Sequence, residues 1–246
     1  MKELKRQVYR HYSTQEQATW RHLFTNLEEN RRSMAVPMFA EGLEALGLHP
    51  GSIPDLADVN ARLKRKTGWT GVPVEGLEAG DSFYPALARR EYPIGNFIRD
   101  ANDVNYTPAP DIFHDLYGHM PFFMNGAYAD FCQEYGRMVV RHMHHPERLQ
   151  RFERFFWFTI EFALTETPRG RRIFGAGILS SKGESEYSLS DAPEVVAFDV
   201  KQICDQPYEI DKFQHRIFLL DCPEQLYDSL SEVEEYVIAA EPSAKR

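Results

Sequence analysis

The stretch PDIFHDLYGHMP, Pro110–Pro121, decides how the rest of the chain is read. Pro110-Asp111 predicts the start of a helix, because proline suits the first helical turn. Gly118 predicts its end, and Pro121 prevents an easy continuation. Within it lie His114 and His119. On a continuous α-helix five steps rotate a side chain by roughly 500°, about 140° away from the first, so the two rings would not share a face. A left-handed turn at Gly118 would take His119 off the helical path and swing it back toward His114. Two neutral imidazoles could then hold one metal ion at neighbouring positions.

A third ligand should come from a place where a charge otherwise makes no sense. Glu161 sits in FFWFTIEFAL, residues 155–164, where nearly every neighbour is apolar. A buried carboxylate without a partner costs several kcal/mol or becomes protonated, and a cation would remove that penalty. Two histidines and one carboxylate on one side of a metal form the ligand set of non-haem Fe(II) sites, which keep open positions for oxygen and co-substrate. Other readings stand beside this one. A histidine near a helix end can be a cap or a surface residue, and Glu161 could pair with Arg99 or Arg172. Zinc is the competing metal, although HExxH is absent.

Outward from these segments the chain reads as mostly helical. Ser13-Thr14-Gln15-Glu16 has the form of a capping box, with Trp20, Leu23, Phe24 and Leu27 following at helical spacing. Further helices are predicted over Met38–Leu46 and Leu56–Lys66, stopped by Gly47 and Gly68. Residues Gly71–Gly80 read as irregular, and Asp81 or Ser82 as the cap of a short helix to about Arg90. Tyr92–Arg99 looks extended, and Asn102–Pro110 is a polar loop. Gly126–Met143 and Pro146–Leu164 are amphipathic helices. Later, Arg172–Ser180, Glu186–Leu189 and Phe213–Leu220 suit small strands, and Pro223–Ala240 a closing helix. The expected architecture is α+β and mostly helical, with a small β-sheet late in the chain. Residues 1–246 are expected to form one domain, since no linker divides them.

Composition narrows the function. The 246 residues carry 28 Lys+Arg against 37 Asp+Glu, a net charge of −9, so no broad positive field favours nucleic acid. Apolar residues at 43% and charged residues at 26% suit a soluble globular enzyme. The ten residues Phe155–Leu164 form the longest greasy run, too short to cross a bilayer. Cys132, Cys204 and Cys222 form no CxxC pair, which points to reduced thiols in a cytoplasmic protein.

PDIFHDLYGHMPFF, WFTIEFAL and IFGAGILSSKGE, in that order, resemble the catalytic core of the aromatic amino acid hydroxylases, in their bacterial form. The similarity includes IPDLADVNARLKRKTGW and runs from about Tyr12 to Leu230. This resemblance implies His114, His119 and Glu161 as Fe(II) ligands, with O2 as co-substrate. It implies that Arg99 takes the amino acid carboxylate through a fork of two hydrogen bonds, with Thr107 and Pro108 in the same pocket. Trp157 would pack against the substrate ring. Gly177 and Ser180 would close over that ring and buttress the first histidine, with Glu184 in the same outer layer. A tetrahydropterin (tetrahydrobiopterin or a bacterial analogue) would lie against Phe83, held by Gly76 and Leu77 and completed by Asp115 and Phe156. The implied reaction is ring hydroxylation, phenylalanine to tyrosine. Attack at another ring position, another aromatic amino acid, a zinc hydrolase and a non-catalytic use of the fold are the alternatives.

Several positions depart from the family pattern. Tyr92–Arg99 reads YPIGNFIR, where bacterial relatives often carry bulkier aromatics before Ile-Arg; Ala109 replaces Glu or Gln; Phe156 replaces a frequent Tyr; Gly126 stands where Pro is common. None removes an iron ligand. The short flanks around the resemblance lead to the expectation of a monomeric catalytic domain without a regulatory or tetramerisation domain.

Overall fold

A computed structural model describes residues 2–101 and 109–239. The chain opens with α1 (Thr14–Asn26), where Ser13 and Glu16 make the reciprocal capping box expected of them. α2 (Glu28–Ser33), α3 (Pro37–Leu46) and α4 (Leu56–Thr67) follow. Gly47 and Gly68 terminate α3 and α4 at φ 64° and 79°, in the left-handed region that glycine enters without penalty.

The segment expected to be irregular holds β1 (Thr70–Val74), which pairs in parallel with β2 (Glu91–Gly95). α5 (Gly80–Ala88) crosses between them, without the side-chain cap expected from Asp81 or Ser82. Residues near the N-terminus run beside β1. Gln7 N–H donates to Pro73, Arg6 bridges Val74, and Asn96 Nδ2 donates to the Val8 carbonyl at 2.9 Å. The extended backbone at 70–74 thus has partners on both sides, at sequence distances that local patterning does not register.

α6 (Gly126–His142) and α7 (Pro146–Phe156) pack their apolar faces into the core. A four-stranded sheet follows, in the order β4-β3-β6-β5, made of β3 (Ala163–Thr165), β4 (Arg172–Ile173), β5 (Glu194–Ala197) and β6 (Arg216–Leu220). β3 and β4 are antiparallel; β6 runs parallel to both β3 and β5. This is the small late sheet expected. Two of the predicted strands are corrected: Ala176–Leu179 is α8 and Lys182–Ser188 is α9, the latter capped by Ser181 Oγ accepting from Glu184 N–H. α10 (Val200–Asp205), α11 (Pro223–Asp228) and α12 (Leu230–Ala239) complete the chain, so the expected closing helix is broken at Ser229. One apolar core runs from Trp20 to Val237 and contains most of the aromatic rings. Among the described residues, no helix is long and apolar enough to cross a membrane.

Candidate metal centre and substrate pocket

His114 and His119 come together, but not by the route expected. No left-handed turn exists at Gly118; instead His114–His119 is one π-helical turn. The hydrogen bond from Met120 N–H to the Asp115 carbonyl spans five residues, the π spacing. In such a turn residue i+5 stands one turn above residue i, so a five-residue separation places both rings on one face. Gly118 serves close packing. A Cβ there would meet the Ala176 carbonyl at 2.9 Å and Ser180 Cβ at 3.3 Å, so glycine lets α8 lie against the turn.

Glu161 also ends a π-turn, Trp157–Glu161, that follows α7, with Phe162 N–H donating to the Trp157 carbonyl at 2.8 Å. The two turns face each other. His119 Nε2 lies 3.1 Å from His114 Nε2 and 3.0 Å from Glu161 Oε1, and His114 Nε2 lies 3.7 Å from Glu161 Oε2. The three groups are mutually within 4.8 Å and form the one cluster of metal-ligating type among the described residues.

The surroundings set the protonation state. Ser180 Oγ lies 2.9 Å from His114 Nδ1 and donates to the Gly177 carbonyl at 3.2 Å. The hydroxyl has one proton, so it accepts Nδ1–H and leaves the Nε2 lone pair of His114 aimed at the shared point. Burial pushes the His114 pKa down to about 4, against the pull of Glu161, so the imidazole is neutral and ligand-competent. Burial opposes ionisation of Glu161, but His119, His114 and the Gly177 N–H together hold its pKa below the ordinary glutamate value.

These donors fit a metal ion. Adjacent ligands about 2.1 Å from one cation stand about 3 Å apart, and the Nε2–Nε2 and Nε2–Oε1 separations match. Two imidazole nitrogens and a carboxylate on one side constitute the set that suits iron(II) and leaves positions open.

On the substrate side, Arg99 is 8% exposed. Asp111 accepts from Arg99 Nε at 2.8 Å, Nη2 at 2.9 Å and the Arg99 backbone N–H at 2.9 Å. Asp111 Oδ1 also accepts from His114 N–H at 2.9 Å, capping the helical segment that carries the first histidine. Burial opposes its charge, yet the guanidinium and the two N–H groups outweigh it and hold the Asp111 pKa below the ordinary value. The guanidinium expected to take the amino acid carboxylate is thus also committed, through Nε and Nη2, to Asp111. Thr107 and Pro108 lie outside the described residues.

Trp157 is half-buried, stacked on Tyr208 at 4.4 Å and on Phe162 at 4.6 Å. Gly177 sits against Glu161 and Phe162: a Cβ there would fall 3.1 Å from Glu161 Oε2 and 3.0 Å from the Phe162 ring. Glu184 stands in the first turn of α9, and burial pushes its carboxyl up to about 7.

On the cofactor side, Phe83 meets Phe156 edge-on at 5.3 Å and Tyr92 at 5.8 Å. Asp115 is buried and accepts from Gly95 N–H at 2.7 Å. Burial, with Asp111 and Glu161 nearby, raises its pKa well above the usual range despite that bond. Gly76 and Leu77 occupy the loop between β1 and α5, with Leu77 74% exposed.

Four residues of this region, Asp111, Tyr92, Phe162 and Tyr208, escape the sequence reading. Only Asp111 carries a local signal, an aspartate three residues before His114 in cap position.

The fold and this constellation define a class: the chain belongs to the biopterin-dependent aromatic amino acid hydroxylase family, matched over residues 4–241. It is 40% identical over 218 residues to the phenylalanine-4-hydroxylase of Caulobacter vibrioides, covering 88% of this chain and 74% of that protein. Against the phenylalanine-4-hydroxylase of Chromobacterium violaceum it is 40% identical over 219 residues, covering 89% and 73%. A crystal structure of the C. violaceum phenylalanine hydroxylase with bound iron(III) and oxidised 7,8-dihydrobiopterin superposes with a TM-score of 0.88. The identity there is 38%, over 94% of this chain and 85% of that one.

Proposed function

We propose that this chain is a phenylalanine hydroxylase, an Fe(II)- and tetrahydropterin-dependent monooxygenase that converts phenylalanine to tyrosine. The observation that carries this reading is the convergence of His114, His119 and Glu161 within 4.8 Å, in a chain matched to the hydroxylase family over almost its whole length. Relatives named phenylalanine-4-hydroxylase support the substrate. Iron and the reduced pterin, when bound, supply the activation of dioxygen and the electrons for it.

The chain's own residues do the placing. His114, His119 and Glu161 hold the metal from one side, and Ser180 keeps His114 in the tautomer that can bind it. Arg99, braced by Asp111, receives the amino acid carboxylate, and the resemblance assigns Thr107 and Pro108 to the same task. Trp157, Phe162 and Gly177 wall the ring. Phe83, Phe156, Gly76, Leu77 and Asp115 make the pterin face, and Glu184 belongs to the outer layer. Buried apolar walls exclude water, which strengthens each polar contact in the pocket.

Anaerobic loading with Fe(II), then oxygen and a reduced pterin with phenylalanine, tyrosine or tryptophan separately, tests the reading through the position of the new hydroxyl. Tyrosine from phenylalanine is the expected product. Metal-dependent hydrolysis without pterin, or no aromatic product at all, would replace this reading with a zinc hydrolase or a binding protein. Glu161→Ala should lose bound iron and turnover with the fold retained.

The same reading makes the chain a single catalytic unit, monomeric and cytoplasmic. Support comes from the continuous core and from Cys132, Cys204 and Cys222, which are all free thiols. Light scattering at the mass of one chain is the expected result.

A further inference from the structure

Ser180 orients His114 through a hydrogen bond, but among the described residues His119 has no such partner. Its Nδ1 is buried and makes no hydrogen bond among the described residues. A metal-binding histidine ordinarily has its second nitrogen tied down, which fixes the ring. The geometry points to Tyr92 as the positioning residue that takes over this task by ring packing; the inference rests on the metal site proposed above. The Tyr92 ring lies 4.9 Å from the His119 ring at an interplanar angle of 34°, and His114 meets His119 edge-on at 4.8 Å. His119 is fully buried between them.

Tyr92 is itself fixed. It stands on β2 opposite Gly71 of β1, with Phe123 at 5.4 Å and Phe83 at 5.8 Å against its ring. Three residues further along β2, Gly95 N–H holds the Asp115 carboxyl. Strand β2 therefore grips the first π-turn twice, by ring contact at His119 and by hydrogen bond at Asp115. Tilting His119 about its Cβ–Cγ bond would drive it into a ring that cannot retreat. The contact is made by the aromatic ring, so the hydroxyl is dispensable for this purpose. Tyr92 also links the second histidine to Phe83, which places one side chain between the metal site and the face assigned to the pterin.

The test is anaerobic titration of the apoprotein with Co(II), followed by its visible ligand-field spectrum, a readout independent of turnover. Tyr92→Leu should weaken Co(II) binding by about tenfold or more, the scale of lost outer-layer support, and should change the band pattern. Tyr92→Phe should keep the wild-type constant and spectrum. Phe131→Leu removes a buried ring on the α11 side of α6, against Tyr135 and Tyr227, and should leave the cobalt spectrum as it is. If circular dichroism shows Tyr92→Leu unfolded, Tyr92→Met, which fills the space with a flexible chain, is read in its place. Wild-type binding and spectrum in the Leu or Met variant would overturn the positioning role and leave the metal site standing. Loss in Tyr92→Phe equal to that in Tyr92→Leu would overturn the ring-packing basis. Failure of the wild-type protein to bind Co(II) would remove the metal site and this inference together.

Discussion

Asp111 has no exposed surface and shares its two oxygens among four N–H groups, three of them from Arg99. Asp111→Ala would remove the carboxylate shared by three Arg99 N–H groups, and breaking such a buried pair costs about 3–5 kcal/mol. The expected outcome is an unfolding free energy lower by that amount in urea denaturation and a raised KM for the amino acid. Arg99→Ala should raise the same KM, because it removes a contact present before and during the chemistry, and should lower stability as well, since it breaks the same buried pair. Equal KM values in Asp111→Ala and wild type would disprove the bracing role. Glu184 gives a pH signature of opposite sign to an ordinary ion pair. Its folded pKa is about 7 because of burial, whereas an unfolded glutamate ionises near about 4.3. Between those values the unfolded chain has released the proton and the folded chain still holds it, so stability falls as pH rises and levels off above about 7. Glu184→Gln cannot ionise; its advantage over wild type should grow from nothing at pH 4 to on the order of 2 kcal/mol at pH 8. Parallel urea midpoints for the two proteins at both pH values would exclude this.

At the scale of elements, the two π-turns are what bring the ligands together, and they mark the limit of what local pattern discloses. His114, His119 and Glu161 are legible because of residue type: two imidazoles near a glycine and an acid among aromatics. The turn that joins the histidines is not, since an α-helical wheel assigns them to different faces. Gly118 is noticed for the wrong reason, as a helix stop, when its missing Cβ is what admits α8. Gly118→Ala should push Ala176 and Ser180 outward, at about 1–3 kcal/mol, and weaken metal binding through the loosened Ser180–His114 contact. Denaturation and metal titration on the same variant check both effects; a stability loss with unchanged metal affinity would uncouple α8 from the site. The capping logic that finds α1 from Ser13 and Glu16 would equally have found α9 from Ser181 and Glu184, had the nearby glycines not suggested strands. β1 is invisible locally because its pairing partners lie at Arg6 and at 91–95.

For the whole molecule, the caps and periodicity along the chain foretold the helical α+β architecture and the resemblance of three separated segments the family, while long-range pairings had to be seen. The N-terminal residues show this best. Lys2 N–H donates to the Asp81 carbonyl, Lys5 N–H to Glu78 Oε1, and Gln7 N–H to Pro73, so the segment is tied to both ends of the loop carrying Gly76 and Leu77. Removing Lys2–Arg10 should raise the KM for the pterin several-fold, with little change in that for the amino acid, since the loop loses its outer tether. Steady-state kinetics with each substrate varied in turn decides it; a matched rise in both constants would signal general loosening instead.

The π-turn at His114–His119 also limits how this centre could be transplanted. Grafting the two histidines at their present interval onto the straight helices of an engineered bundle would scatter them to separate sides. A designer would have to shorten the interval by one residue, or import the widened turn together with the glycine that lets its neighbour settle against it.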